Sequence, residues 1–347
     1  MHNIILEKSK DRGQEGPGFS GVISMFGFKD LKNTIRVTET TVECPVKGCR
    51  VIVQRQRKIF KRQEEFKCPE HNIYISPSTF EYQNEFDNIL LKEEADRDLL
   101  KQIAKVKRES RIARDNSEDA VTWNVFRFLE KNDLLSGFLS NIISHPVENP
   151  EIIYWSHSQS EGDKTSVWAP LQGAREEFET NPKKGSEPDL IIKSKNALFL
   201  IECKLTANNN TVLRSNDPMA RVKYVNGGGK WFSDMFTSDF DTIVMKDKKY
   251  ELFRFWLIGS WIAHNHQLNF YLINLVLSQK EKDIEQTFRR HIKENHERKF
   301  LRVTWEDVYQ FILDSKLRSI ERDKIVEYFK NKSIGYKSGK LQKAFSL

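Results

Sequence analysis

The strongest constraint on how this chain can fold is a pair of short apolar runs, 190–192 and 198–201, rich in branched residues and separated by Ser194, Lys195 and Asn196. Two such runs around a polar turn read as a β-hairpin. With Lys195-Asn196 as a two-residue loop, Ser194 pairs with Ala197, and the same register places Asp189 directly opposite Glu202. Side chains repeat every second residue along a strand, so Lys204 shares the face of Glu202. Cys203 points to the other face with Phe199 and Ile201, which makes it a core residue and not a nucleophile.

Carboxylates opposed across a hairpin, with their bases roughly 5 Å apart, repel each other unless a cation sits between them. A divalent metal is the simplest such cation. Oxygen-only ligands favour Mg2+ or Mn2+, which keeps waters that substrate phosphates can displace. A lysine beside the metal could orient or deprotonate an attacking water, or offset charge developing on a phosphate. A half-buried hairpin whose charged ends face solvent accounts for the pattern equally well. The combination of Pro188-Asp189 with an apolar strand ending Glu202-Cys203-Lys204 resembles the PD-(D/E)xK nuclease superfamily, the restriction-endonuclease-like fold. The resemblance implies that Asp189 and Glu202 bind a catalytic Mg2+ (or Mn2+) ion and that Lys204 assists the nucleophilic water.

A helix is expected over 118–131, with Val121, Val125, Phe128 and Leu129 on one face, Glu118 on the same stripe, and Asp115-Asn116-Ser117 offering cap residues. In the superfamily the first helix often carries an acid that completes the metal site, so the resemblance adds Glu118. The stretch from Ser117 to Trp123 also resembles the opening of bacterial restriction-endonuclease-like proteins. The alternative for Glu118, as for Asp119, is an acidic first turn that favours the helix dipole.

Three of the four cysteines gather with a histidine near the N-terminus: Cys44-x4-Cys49 and, after eighteen residues, Cys68-x2-His71. The spacing looks like a zinc finger of ribbon type, with Pro45, Gly48 and Pro69 as turn residues and strands at 51–53 and 73–75. Coincidental thiols in a small sheet are the alternative. Four protein ligands leave no open position, so this Zn2+ would be structural. Between the pairs, Arg55, Arg57, Lys58, Lys61 and Arg62 are candidate phosphate contacts, although a solvated loop explains them almost as well. Lys183 and Lys184, just before the hairpin, are further candidates.

The net charge is +7, with both signs abundant, which suits a protein that meets a polyanion. No N-terminal stretch has signal-peptide order, so a cytoplasmic protein is expected. The longest apolar segment, 252–263, reads as a buried helix and not a membrane span. Further strands are expected at 35–42, 152–155, 167–171, 270–277 and 301–304. Helices are expected at 281–298, 305–313 and 320–329, and 330–343 reads as a basic, solvated or phosphate-contacting tail.

The expected class is α/β: a restriction-endonuclease-like central mixed sheet flanked by helices, plus a small zinc-binding β module. The divisions are 1–84 (arm and zinc module), 85–114 (helical linker) and 115–347 (nuclease domain). By resemblance the chain is a Mg-dependent endonuclease acting on DNA, most simply double-stranded, in restriction or antiviral defence. A homodimer would serve double-strand cutting, and a defence-system partner protein fits the same reading. The alternatives are a nucleic-acid-binding or assembly protein with an inactive nuclease fold, or a structure-specific repair, recombination or transposition nuclease.

Overall fold

A computed structural model describes residues 28–57, 59–160, 167–213 and 218–347. Among them, β1 (Thr41–Glu43) and β2 (Ile52–Gln54) form an antiparallel pair, and β3 (Lys67–Cys68), β4 (Ile73–Ile75) and β5 (Phe80–Tyr82) a three-stranded antiparallel sheet. Three helices follow: α1 (Glu94–Val106), α2 (Glu118–Lys131) and α3 (Leu135–Ile143). Then come β6 (Glu151–Tyr154), α4 (Ala169–Phe178), β7 (Leu190–Lys193), β8 (Ala197–Cys203), α5 (Pro218–Met235) and α6 (Tyr250–Asn265). The chain continues through β9 (Asn269–Val276), α7 (Ile284–Arg289), β10 (Arg298–Thr304), α8 (Trp305–Asp314) and α9 (Ser319–Asn331), and closes with β11 (Ser333–Lys337) and β12 (Lys340–Lys343).

The apolar hairpin lies inside a mixed five-stranded sheet, ordered β10-β9-β8-β7-β6. The β7–β8 register runs from Leu190↔Ile201 to Lys193↔Leu198, and the Ser194 N–H donates to the Ala197 carbonyl at 2.8 Å, as the two-residue loop requires. One further step of that register sets Asp189 against Glu202. β8 and β9 run parallel, which brings Asn274 beside Glu202.

Strand periodicity divides the core between the sheet's two faces. On one, Phe199, Ile201 and Cys203 pack with α2, α3, α8 and α9, so Cys203 is the core residue the alternation predicts. On the other, Leu198, Leu200 and Leu272 pack under α4 to α7. α6 can lie this close to β9 because residue 259 is glycine: any Cβ there would collide with the Phe270 ring. Removing a fully buried aromatic such as Trp123 of α2 would cost about 3–5 kcal/mol.

α2 has the expected bounds, and Ser117 caps it by accepting the Ala120 N–H at 3.1 Å. Asp115 does not cap. It is fully buried beside Lys332, 3.6 Å away, and accepts from the Ser333 hydroxyl. The run 252–263 is buried within α6, and among the described residues no helix is long and apolar enough to cross a membrane.

Several local expectations are corrected. Of 167–171, expected as a strand, residues 169–171 open α4, because Pro170 fits a first helical turn where its missing N–H costs nothing. Only Ile284–Arg289 of 281–298 is helical, and beyond it Asn295 accepts the N–H groups of Glu297 and Arg298 and turns the chain into β10. The strand expected over 35–42 turns back on itself, with the Thr38 N–H donating to the Thr41 carbonyl at 2.9 Å. The basic tail is the hairpin β11–β12. Its Tyr336 is buried in the N-terminal cluster with Cys44, Ile73 and Phe80, and Lys332 just before it is wholly buried.

Candidate functional site

Asp189, Glu202, Lys204 and Glu118 line one cleft of about 630 Å3, together with Glu251. Each comes from a different piece of local structure. Asp189 precedes β7, where its Oδ1 accepts from the Trp155 indole at 3.1 Å and its Oδ2 from the Cys203 N–H at 2.9 Å. Glu202 is the penultimate residue of β8. Lys204 follows the strand with both backbone groups engaged: its N–H donates to the Leu275 carbonyl at 2.8 Å, and its carbonyl accepts from the Trp305 indole at 3.1 Å. Glu118 opens α2 and accepts the Leu205 N–H at 2.5 Å, which ties the helix start to the end of the hairpin.

Glu251 was not foreseen from the sequence. It sits in the first turn of α6, where its N–H donates to the Thr211 hydroxyl at 2.9 Å. Its Oε2 lies 2.9 Å from Lys204 Nζ, a contact of charge more than an aligned hydrogen bond. Lys204 Nζ also donates to Glu202 Oε1, so one ammonium bridges two carboxylates. The only signal in the sequence was an acid at the start of an otherwise apolar helix, which the helix dipole explains without reference to a site.

The electrostatics are those of too many acids in too little water. Burial pushes the Asp189 carboxyl up to about 7 although Lys204 and Lys107 pull the other way. Burial, followed by the charges of Asp189 and Glu251, drives Glu202 well above the usual carboxylate range. Burial also pushes Glu251 up, but the Lys204 ammonium reverses this and leaves it below its ordinary value. Lys204 itself is disfavoured by burial, yet Glu202, Glu251 and Asp189 together hold it well above a normal lysine. Asp119 belongs to a separate pair: it accepts from Lys107 at 3.1 Å, and that ammonium also lies over the Trp155 ring.

The N-terminal cluster is of another kind. Cys44, Cys49, Cys68 and His71 converge so that their ligand atoms all lie within 4.8 Å of one another, and they could hold a metal ion such as zinc. Neighbouring ligand atoms are 3.6–3.8 Å apart. A tetrahedral site with bonds of about 2.0–2.3 Å needs nearly that spacing. The thiol of Cys44, then the His71 ring, hold Cys68 down to about 5, whereas burial pushes Cys49 up to about 11. Among the described residues this is the one group of three or more such ligands that converges so tightly. Glu118, Asp189 and Glu202 share the cleft without doing so.

The basic residues expected to touch phosphate are scattered. Arg55 donates to the Thr38 carbonyl and Arg57 to the Glu39 carbonyl, both within the module, and Arg62 pairs with Glu81. Lys61 is exposed, and Lys58 lies outside the described residues. Lys183 and Lys184 are exposed on a short turn beside the cleft's Glu187 and do not line the cleft. Instead its cationic side is built from Arg108, Arg111 and Arg114. No protein-family model, curated protein or solved structure matches this chain.

Proposed function

We propose that the chain is a metal-dependent nuclease of restriction-endonuclease-like fold that hydrolyses DNA phosphodiester bonds in restriction or antiviral defence. The observation that carries this reading is the cleft itself, where a hairpin and the start of α2 bring Asp189, Glu202, Lys204 and Glu118 to one place from distant parts of the sequence. The mixed sheet flanked by helices agrees with the architecture the resemblance implies.

The donor set suits a hard cation: all oxygens, each Asp189 oxygen taken by only one N–H, and Glu202 paired with the Lys204 ammonium, which also has Glu251 as a partner. Asp189, Glu202 and Glu118 would hold the Mg2+. When bound, that ion would polarise the scissile phosphate and lower the pKa of a coordinated water. The protein's own groups do the rest. Trp155 and the Cys203 N–H fix the Asp189 carboxylate in rotation. Glu251 keeps Lys204 Nζ in the cleft, positioned to orient a water or to offset charge on the phosphate. A structural Zn2+ at Cys44, Cys49, Cys68 and His71 would complete the N-terminal module.

One observation favours a second reading, a nucleic-acid-binding or assembly protein with an inactive fold: Lys204 already neutralises Glu202 and Glu251 without any metal. Plasmid and linear duplex incubated with Mg2+, Mn2+ or a chelator, using the parent, Glu202→Ala and Lys204→Ala, separate the two. Metal-dependent cutting lost in both variants supports the nuclease. Duplex binding without cutting at any metal concentration supports the binder, and branched substrates cut in preference to linear ones would point to repair or recombination.

A further inference from the structure

The cleft has two chemically distinct sides. Its floor carries the carboxylates, and its wall is the segment between α1 and α2, where Arg108, Arg111 and Arg114 are 39–58% exposed. We propose that these three arginines form the track that receives the phosphodiester backbone of a DNA duplex and leads one strand over the acidic floor; the proposal rests on the nuclease reading and specifies how its substrate is held.

Three observations support it. First, the wall is rigid before any ligand arrives. The Tyr82 N–H donates to the Ala113 carbonyl at 2.9 Å and the Asp115 N–H to the Phe80 carbonyl at 3.0 Å, so the segment extends the module's β3–β4–β5 sheet by another edge. Asn88 Nδ2 bonds the carbonyls of Ile112 and Arg114, and the Arg111 N–H donates to Asp119. Ile112 and Ala113 are buried, which turns Arg111 and Arg114 outward. A preorganised guanidinium fork loses little entropy when it takes a phosphate.

Second, the partner of Arg111 is exchangeable. Arg111 forks onto the exposed Glu109 at 3.0–3.1 Å, Arg108 donates to the Lys184 carbonyl at 2.9 Å and lies 3.7 Å from Glu187, and Arg114 lies 3.1 Å from Glu81. The Arg111–Glu109 pair is open to water on both sides and worth about 0–1 kcal/mol, so a phosphate displaces it at little cost, whereas Glu187 and Glu81 are themselves mostly buried and keep part of their hold on Arg108 and Arg114. Lys107 is the contrasting case: only 7% exposed, bound to Asp119 and lying over Trp155, it is fixed in the wall and offered to nothing.

Third, charge is sorted by position. A strand whose phosphates contact the wall is held beside the carboxylates without its charge being pressed into them. Arg55, Arg57, Lys61 and Arg62 of the loop between the zinc ligands do not line the cleft.

The test uses the full-length, zinc-loaded chain carrying Glu202→Gln, with Ca2+ present, and a short fluorescein-labelled duplex titrated by anisotropy at several salt concentrations. Arg108→Gln with Arg111→Gln is expected to weaken binding about tenfold and to lower the slope of log affinity against log salt by about 2. Arg114 stays in place because it also anchors Glu81. Arg57→Gln with Lys61→Gln should change affinity less than twofold. Wall variants that bind like the parent with an unchanged slope, while the unmutated chain cuts plasmid, would overturn the track and leave the nuclease standing. If the unmutated chain neither binds nor cuts duplex, the nuclease reading fails and takes the track with it.

Discussion

The thiol cluster and the carboxylate cleft solve opposite problems. In the first, four soft ligands from two tight turns converge at spacings of 3.6–3.8 Å, close to what one tetrahedral ion demands. In the second, acids from a strand end, a pre-strand residue and two helix starts crowd together, and the cation that pairs with two of them is a lysine from the same hairpin. A site built to hold an ion permanently can be closed and complete. A site built to act must leave its charges incompletely satisfied, and it pays for that in stability.

The sharpest way to break this contrast is to remove metal from each site in turn. Stripping the thiol cluster, or replacing Cys68 with Ser, should unfold the N-terminal module, because a structural zinc contributes roughly 10–16 kcal/mol in small zinc folds. Amide exchange across Ile73–Ile75 reads this directly, and retained protection in the zinc-free chain would contradict a structural ion. Stripping the carboxylate cleft should leave the fold intact.

Next in size are the effects on cutting. Glu202→Gln or Lys204→Ala should slow hydrolysis by about 10³-fold or more. Glu202→Gln should leave the melting temperature nearly unchanged, since relief from the repulsion of Asp189 and Glu251 is offset by the lost charge contact with Lys204. A variant that is both inactive and less stable would mean that Glu202 is structural.

A pH series separates the sites further. The Asp189 carboxyl titrates at about 7 in the folded chain, above its ordinary value. Its favourable contribution to stability is therefore complete below the unfolded pKa of about 4 and is lost as pH rises through about 7. Mg2+ competes with that proton, so the rise in melting temperature on adding Mg2+ should be larger at pH 8 than at pH 5.5. An equal increment at both would detach Asp189 from the metal. The smallest effect belongs to Glu251→Gln, about tenfold on the catalytic rate with little change in duplex affinity, because its part is to position Lys204. Loss of affinity with an unchanged rate would refute that role.

The same contrast explains what could be read in the sequence. The Cys/His cluster and the Asp189–Glu202 opposition are local: short spacings and a two-residue turn determine them, and the register of β7–β8 follows. Ser117 and the apolar stripe of α2 likewise define that helix at both ends. Glu251 and the arginine wall depend on packing. Glu251 reaches Lys204 because α6 packs against the sheet, where Gly259 lies against the Phe270 ring. Arg108, Arg111 and Arg114 fell within the helical linker expected over 85–114, whereas α1 ends at Val106 and Arg114 beyond it pairs with Glu81 of β5. Basic residues that did look like phosphate contacts, such as Arg55 and Arg62, are spent on nearby carbonyls and Glu81 because the module is small and its turns need those bonds.

The placement of Tyr336 carries a consequence for how the molecule is made. The cluster around Cys44, Ile73 and Phe80 is completed by a side chain from β11, and the Leu341 N–H bonds the Asn33 carbonyl at 2.8 Å. During synthesis the ribosome releases the thiols long before it releases their lid. The nascent module therefore completes its core only after β11 has emerged, and an ion captured earlier would hold those thiols together until then.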